Sequence, residues 1–152
     1  MHIPEQFLSY DKKTLLLVCD KKIAKLYTAF DREFQSLEQL ENDRLSLDDT
    51  ERYTAAIAEG KLTKGQDESL KDREGQTFYK HLAQVLFTKK QEGLFDTLIL
   101  VVPQDDKNSL VGALHPEVEK TLDRVIGKQL TKVSEDQLVE KVDAERRSVA
   151  NG

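Results

Sequence analysis

The apolar positions of this chain fall into runs of two kinds, and the contrast between them predicts the fold. Thr14 to Cys19 (Thr-Leu-Leu-Leu-Val-Cys) and Thr97 to Val102 (Thr-Leu-Ile-Leu-Val-Val, closed by Pro103) are unbroken. Such runs belong to strands covered on both faces, and Thr97 to Val102 reads as the central strand of a sheet. Ile23 to Phe30 alternates instead, and Asp20-Lys21-Lys22 supplies a turn before it, so Thr14 to Phe30 reads as a hairpin. Asp31, Arg32 and Glu33 interrupt the pattern ahead of Phe34 to Leu40, which reads as a third meander strand at an edge of the sheet.

A 3.6-residue period replaces this alternation further on. Phe78, Leu82, Val85, Leu86 and Lys89 recur at helical spacing, with Ser69 or Asp72 as N-cap and Gly93 as the stop. Lys107 to Leu114 and Pro116 to Arg124 give two helical pieces divided at His115-Pro116, where proline suits a first helical position. Ile126 to Val133 alternates as a strand. Ser134-Glu135-Asp136-Gln137 then forms a capping box for a last helix whose Leu138, Val139 and Val142 face inward. Ahead of the first strand, Phe7, Leu8 and Tyr10 suit a short helix or an arm laid over the sheet. Residues 41 to 73 read as a long, weakly ordered excursion, with Asp48 to Ala58 able to form a short helix inside it.

A strand joined to a strand through helices implies a parallel, right-handed unit. The expected fold is α/β: a mixed five-stranded sheet with helices on its faces, as one domain over residues 1–152. There is no internal repeat.

Composition narrows the function classes. The 152 residues are 34% charged and 38% hydrophobic, enough to bury a real core, and the net charge of -5 argues against a general nucleic-acid coat while leaving room for a local basic patch. Cys19 is the single cysteine, which excludes an intrachain disulfide; it sits in an apolar run and reads as a small core residue. Met-His-Ile-Pro-Glu lacks the charge pattern of a secretory signal, and no apolar run approaches the roughly 20 residues needed to span a bilayer. A cytoplasmic protein without a membrane role is expected.

Candidate chemistry is sparse. His2, His81 and His115 lie at no ligand spacing, no phosphate loop or dinucleotide fingerprint occurs, and Ser109 is not in a nucleophile elbow, so neither a metal nor a cofactor is expected. Asp105 and Asp106 follow the central strand at its carboxyl end, with Asp20 ending the first strand. These three suit metal-assisted phosphodiester chemistry, or Asp106 or Asn108 simply caps the next helix. Lys61, Lys64, Lys71, Arg73, Lys80, Lys89 and Lys90 are interleaved with acids, as on a solvated face. Lys71, Arg73 and Lys80 also flank Glu74-Gly75-Gln76 and are placed to touch phosphate.

Several segments together resemble a known family. Leu16-Leu17-Val18-Cys19-Asp20 with Ala24-Lys25-Leu26-Tyr27, then Phe78 through Ala83, then Glu92-Gly93-Leu94-Phe95-Asp96-Thr97-Leu98-Ile99-Leu100-Val101-Val102-Pro103, and finally Leu130-Thr131-Lys132-Val133-Ser134 with Leu138 look like the bacterial host attachment proteins. That family is itself similar to the middle domain of the eukaryotic and archaeal class-one peptide-release factors. The resemblance runs from Thr14 to Ala144 except over the excursion. In the release factors a Gly-Gly-Gln tripeptide before the long helix enters the peptidyl-transferase centre and helps position the water that cleaves peptidyl-tRNA. The corresponding place here holds Arg73-Glu74-Gly75-Gln76, so Gly75 and Gln76 match and Glu74 departs. Glycine at that place would permit backbone angles that a residue with a β-carbon resists, and the Glu74 carboxylate adds like charge among RNA phosphates, so the resemblance does not extend to hydrolysis. The reading beside it is that Asp72, Glu74 and Gln76 decorate the first turn of a helix.

Three functional readings follow. The first is a release-factor-like domain binding ribosomal or transfer RNA through Lys71, Arg73 and Lys80, in translation quality control. The second is a protein-interaction module of the host attachment family with no RNA role. The third is an RNA or peptidyl-tRNA hydrolase using Gly75 and Gln76, or Asp20, Asp105 and Asp106. The oligomeric state is left open.

Overall fold

The computed structural model describes residues 1–42 and 64–150, with side chains placed over 1–42 and 75–148. The expected helix Asp48 to Ala58 lies outside the described residues, as do residues 43–63 of the excursion. Five strands make one sheet: β1 (Tyr10–Cys19), β2 (Ile23–Asp31), β3 (Glu33–Glu41), β4 (Thr97–Val102) and β5 (Leu122–Gly127). The order across it is β3-β2-β1-β4-β5. β1 pairs antiparallel with β2 and parallel with β4, β2 pairs antiparallel with β3, and β4 pairs parallel with β5. The mixed sheet matches the sequence reading, and β3 does lie at an edge. The middle position, however, belongs to β1, with β4 beside it.

The described residues form four helices, α1 (Lys64–Gln91), α2 (Lys107–Ala113), α3 (Pro116–Glu119) and α4 (Glu135–Ala150), with a short 3-10 turn at Gln104–Asp106. Alternation along β1 and β4 divides the core between two faces. Leu15, Leu17, Leu98, Leu100 and Val102 pack under α1, α2 and α3 with Phe78, Tyr79, Leu82 and Leu86. Leu16, Val18, Ile99 and Val101 face the other way, toward Ile3, Phe34 and α4's Leu138, Val139 and Val142. Both strands are therefore buried on both sides, which is why their sequences are unbroken apolar runs.

The N-terminal segment is an arm. His2 bridges Glu33, and Ile3 is fully buried. Arg32 donates to the carbonyls of Pro4 and Phe7, while Arg147 donates to that of Gln6. Asp143 accepts the amide of Leu8 at 2.7 Å, and the Arg146 guanidinium lies 3.9 Å over the Tyr10 ring.

Several boundaries differ from the sequence reading: β1 begins at Tyr10, which was read into the arm, rather than at Thr14. α1 begins at Lys64 rather than at Ser69 or Asp72. The helical piece after Pro116 stops at Glu119, and the last strand is Leu122–Gly127 rather than Ile126 to Val133. Asp123 and Arg124 disguise that strand: it is an edge, Arg124 bonds Asp123 and the carbonyl of Glu145, and only Ile126 is fully buried. Leu130 and Thr131, read as strand, are instead a buried connection under the α4 side of the sheet. Ser134 does cap α4, its Oγ accepting the amide of Gln137 at 3.3 Å.

Candidate functional site at the carboxyl end of the parallel strands

β1, β4 and β5 run parallel, so Cys19, Val102 and Gly127 end at one side of the sheet. The turns that follow bring Asp20 and Lys21, Gln104 to Asp106, and Lys128 and Gln129 to that side. α1 passes across it, presenting Gly75 and, one turn on, Tyr79. This is where an open α/β sheet usually keeps its site.

Each acid there has a defined partner set or none. The Asp20 carboxylate accepts the amides of Lys22 (2.7 Å) and Ile23 (2.9 Å) on Oδ1, which closes the β1–β2 turn. Its Oδ2 accepts Gln129 Nε2 at 2.7 Å and Thr131 Oγ1 at 3.2 Å, tying the first turn to the connection after β5. Asp106 stands at the N-cap position of α2 but makes no cap hydrogen bond. Its Oδ2 accepts the Tyr79 hydroxyl at 2.7 Å, and its Oδ1 lies 3.8 Å from Lys21 Nζ. The expected capping role is therefore not what its side chain does. Asp105 is exposed and joins neither set. Among the described residues, no three His, Cys, Asp or Glu side chains converge as a metal-binding group.

Burial shapes the titration of this corner. Desolvation, the hydrogen bond to Asp106 and the nearby charges hold the Tyr79 phenol well above its usual 10.0. Burial first, and then the negative charges of Asp20 and Asp106, push the Cys19 thiol well above its usual 9.0. Cys19 is thus a protonated core residue, as expected, and Tyr79 is a permanent donor to Asp106 at neutral pH.

The Gly75-Gln76 pair is inside α1, in its fourth turn, not in a loop before the helix and not in its first turn. A Cβ built on Gly75 would meet Lys21 Cγ at 2.7 Å and Cδ at 2.8 Å. The Lys21 chain crosses the helix closely there on its way to Asp106, so a side chain at this position has to displace the lysine stem. Gln76 is exposed on the next position.

The three candidate cations separate by helical position. Lys71 is one turn before Gly75, on the stripe that runs to Tyr79, whereas Arg73 and Lys80 are two turns apart on a second stripe. The side chains of Lys71 and Arg73 are not among those described. Lys80 is exposed beside a shallow hollow with Gln84, Phe87 and His115, in which Phe87 stacks on His115 at 4.0 Å. His115 also caps α3, accepting the Glu117 amide at 3.0 Å.

Sequence reasoning missed Lys21, Tyr79, Gln129 and Thr131. A glycine inside a helical stripe with an aromatic one turn later was the available signal for a close crossing at Gly75. Nothing local signals the Gln129 and Thr131 contacts, which span more than a hundred residues.

A comparison with one solved structure supports the fold. The archaeal translation termination factor aRF1 superposes with a TM-score of 0.51 at 16% identity, covering 91% of this chain and 40% of that one. Dom34 of S. cerevisiae, a termination-like factor involved in RNA quality control, gives 0.42 at 12% identity, covering 90% of this chain and 37% of its own. The chain thus spans about two fifths of the length of these structures. No curated protein matches it. The profile of bacterial archaeo-eukaryotic release factor family 12 matches residues 13–142, from the start of the buried part of β1 into α4, and the chain belongs to that family.

Proposed function

We propose that this domain acts in translation, in the cytoplasm, by binding ribosomal or transfer RNA without hydrolysing peptidyl-tRNA. The observation that carries the reading is the family match over residues 13–142, which includes Gly75-Gln76 and all of the sheet except the first residues of β1. Lys71, Arg73 and Lys80 on α1 are the cations offered to phosphate. Two features support the absence of hydrolysis. The backbone at Gly75 is committed to a helix, and the surface above it is filled by the Lys21 chain, so it is not free to enter a catalytic centre as a loop. Asp20 and Asp106 are likewise held by structural partners.

The net charge of -5 favours a second reading, the protein-interaction module of the host attachment family with no RNA role. Affinity capture from extract with and without RNase separates the two. Partners lost on RNase treatment support RNA binding, whereas partners retained favour the protein module. Incubation with peptidyl-tRNA and Mg2+ is expected to leave the substrate intact; cleavage would overturn the non-hydrolytic part.

A further inference from the structure

We propose that the groove at the amino end of β1 and β4 docks a basic protein segment carrying an apolar anchor. This site lies at the opposite end of the sheet from the corner described above and does not rest on RNA binding.

The groove exists because α1 stops short. The helix ends at Gln91, and Gly93, at φ +73°, turns the chain away toward Leu94 and β4. Among the described residues, no helix lies over the α1-facing ends of β1 and β2 beyond that point. Thr28, Phe30 and Leu94 line the space left, a groove of about 700 Å³. Ligand pockets commonly measure roughly 300–1,000 Å³. Phe30 is 54% exposed, the most exposed of the large hydrophobic side chains described. A half-open aromatic in a groove supplies an anchor point for an apolar side chain.

Charge decides the occupant. Asp11, Asp31, Glu33 and Asp96 line the groove, against Lys12 and Lys13. Lys13 is engaged elsewhere, donating to the carbonyl of Gly93 at 3.0 Å. Glu33 faces His2, but Asp11, Asp31 and Asp96 form no ion pair among the described residues. Carboxylates set around an apolar floor repel a phosphate backbone and attract Lys or Arg.

The carboxylates also belong to different strands: Asp31 ends β2, Asp11 lies in β1 and Asp96 precedes β4. Neighbouring strands are about 4.8 Å apart, so the acids span about 10 Å. One compact cation cannot reach all three, whereas a polypeptide with basic residues spaced along it can. Its apolar side chain would then fill the space beside Phe30.

The test uses the full chain and a fluorescein-labelled peptide of repeated Arg-Leu-Lys units, followed by anisotropy and by amide shifts. The expected result is binding with shifts at Thr28, Phe30 and Leu94. Asp11→Asn/Asp31→Asn/Asp96→Asn should weaken it about tenfold or more, and Phe30→Ser should weaken it in high salt as well. Glu117→Gln/Glu119→Gln/Glu140→Gln changes the net charge equally at other exposed positions and should change affinity less than about twofold. Equal losses in the two triple variants, shifts centred elsewhere, or an oligouridine strand shifting the groove residues in place of the peptide would overturn the proposal. All the substituted side chains are exposed, and circular dichroism confirms that each variant is folded.

Discussion

At the carboxyl end of the parallel strands, Asp20 accepts four hydrogen bonds and Asp106 holds a buried tyrosine and faces Lys21. At the amino end, Asp11, Asp31 and Asp96 surround a half-exposed phenylalanine and form no ion pair among the described residues. In sequence the first group looks like chemistry and the second like ordinary surface. The structure reverses the weighting: converging carboxylates whose lone pairs are occupied by the fold's own donors hold it together. Acids that form no ion pair among the described residues, set around an apolar floor, are the ones left available to something else.

The largest test of this contrast is stability. Asp20→Ala should cost about 2–4 kcal/mol in urea unfolding, since it orphans two turn amides and removes charged hydrogen bonds to Gln129 and Thr131. Asp96→Ala at the other end should stay within about 0.5 kcal/mol. Equal costs would erase the distinction between the two ends.

Next in size, Tyr79→Phe should cost about 1–2 kcal/mol by removing the hydroxyl that Asp106 accepts. Alkaline pH sharpens the same point. The folded thiol of Cys19 and phenol of Tyr79 keep their protons above pH 9.0 and 10.0, where the unfolded chain gives them up. Their contribution is therefore complete below those values and is lost as pH rises beyond them. Unfolding free energy measured against pH should begin to fall near pH 9 and fall more steeply above pH 10. Tyr79→Phe should flatten the upper part.

A smaller effect than at Tyr79 is expected at Gly75. Alanine gains about 1 kcal/mol in helix propensity but must push Lys21 away from Asp106, so stability should change by less than about 1 kcal/mol. A loss of several kcal/mol would mean the crossing is far tighter than a flexible lysine stem allows.

Fold was legible wherever burial was symmetric. Leu15 to Cys19 and Leu98 to Val102 are covered on both faces, and their shortness and bounding turn residues mark such runs as strands. β5 was displaced because Asp123 and Arg124 satisfy each other on an edge strand, and because Leu130 is buried without being in the sheet. The carboxyl-end corner was half legible. Asp20 and Asp106 could be placed at strand ends from sequence, but their partners, Tyr79, Lys21, Gln129 and Thr131, come from distant segments whose meeting depends on the whole fold. Gly75-Gln76 was legible as a motif, and one sequence reading set it in the first turn of a helix; its depth inside the helix was not legible, because α1 extends farther back than its apolar stripe.

Ribosome co-sedimentation across a salt series tests the central reading most directly, comparing the wild-type chain with Lys71→Glu/Arg73→Glu and with Lys132→Glu/Lys141→Glu. The second pair makes the same charge change outside α1. RNA binding through α1 predicts that the wild type pellets with ribosomes at low salt and is released as salt rises. It also predicts that the first variant is released at lower salt and that the second behaves like the wild type. A wild-type chain that stays in the supernatant at low salt, or two variants that lose binding equally, would contradict it.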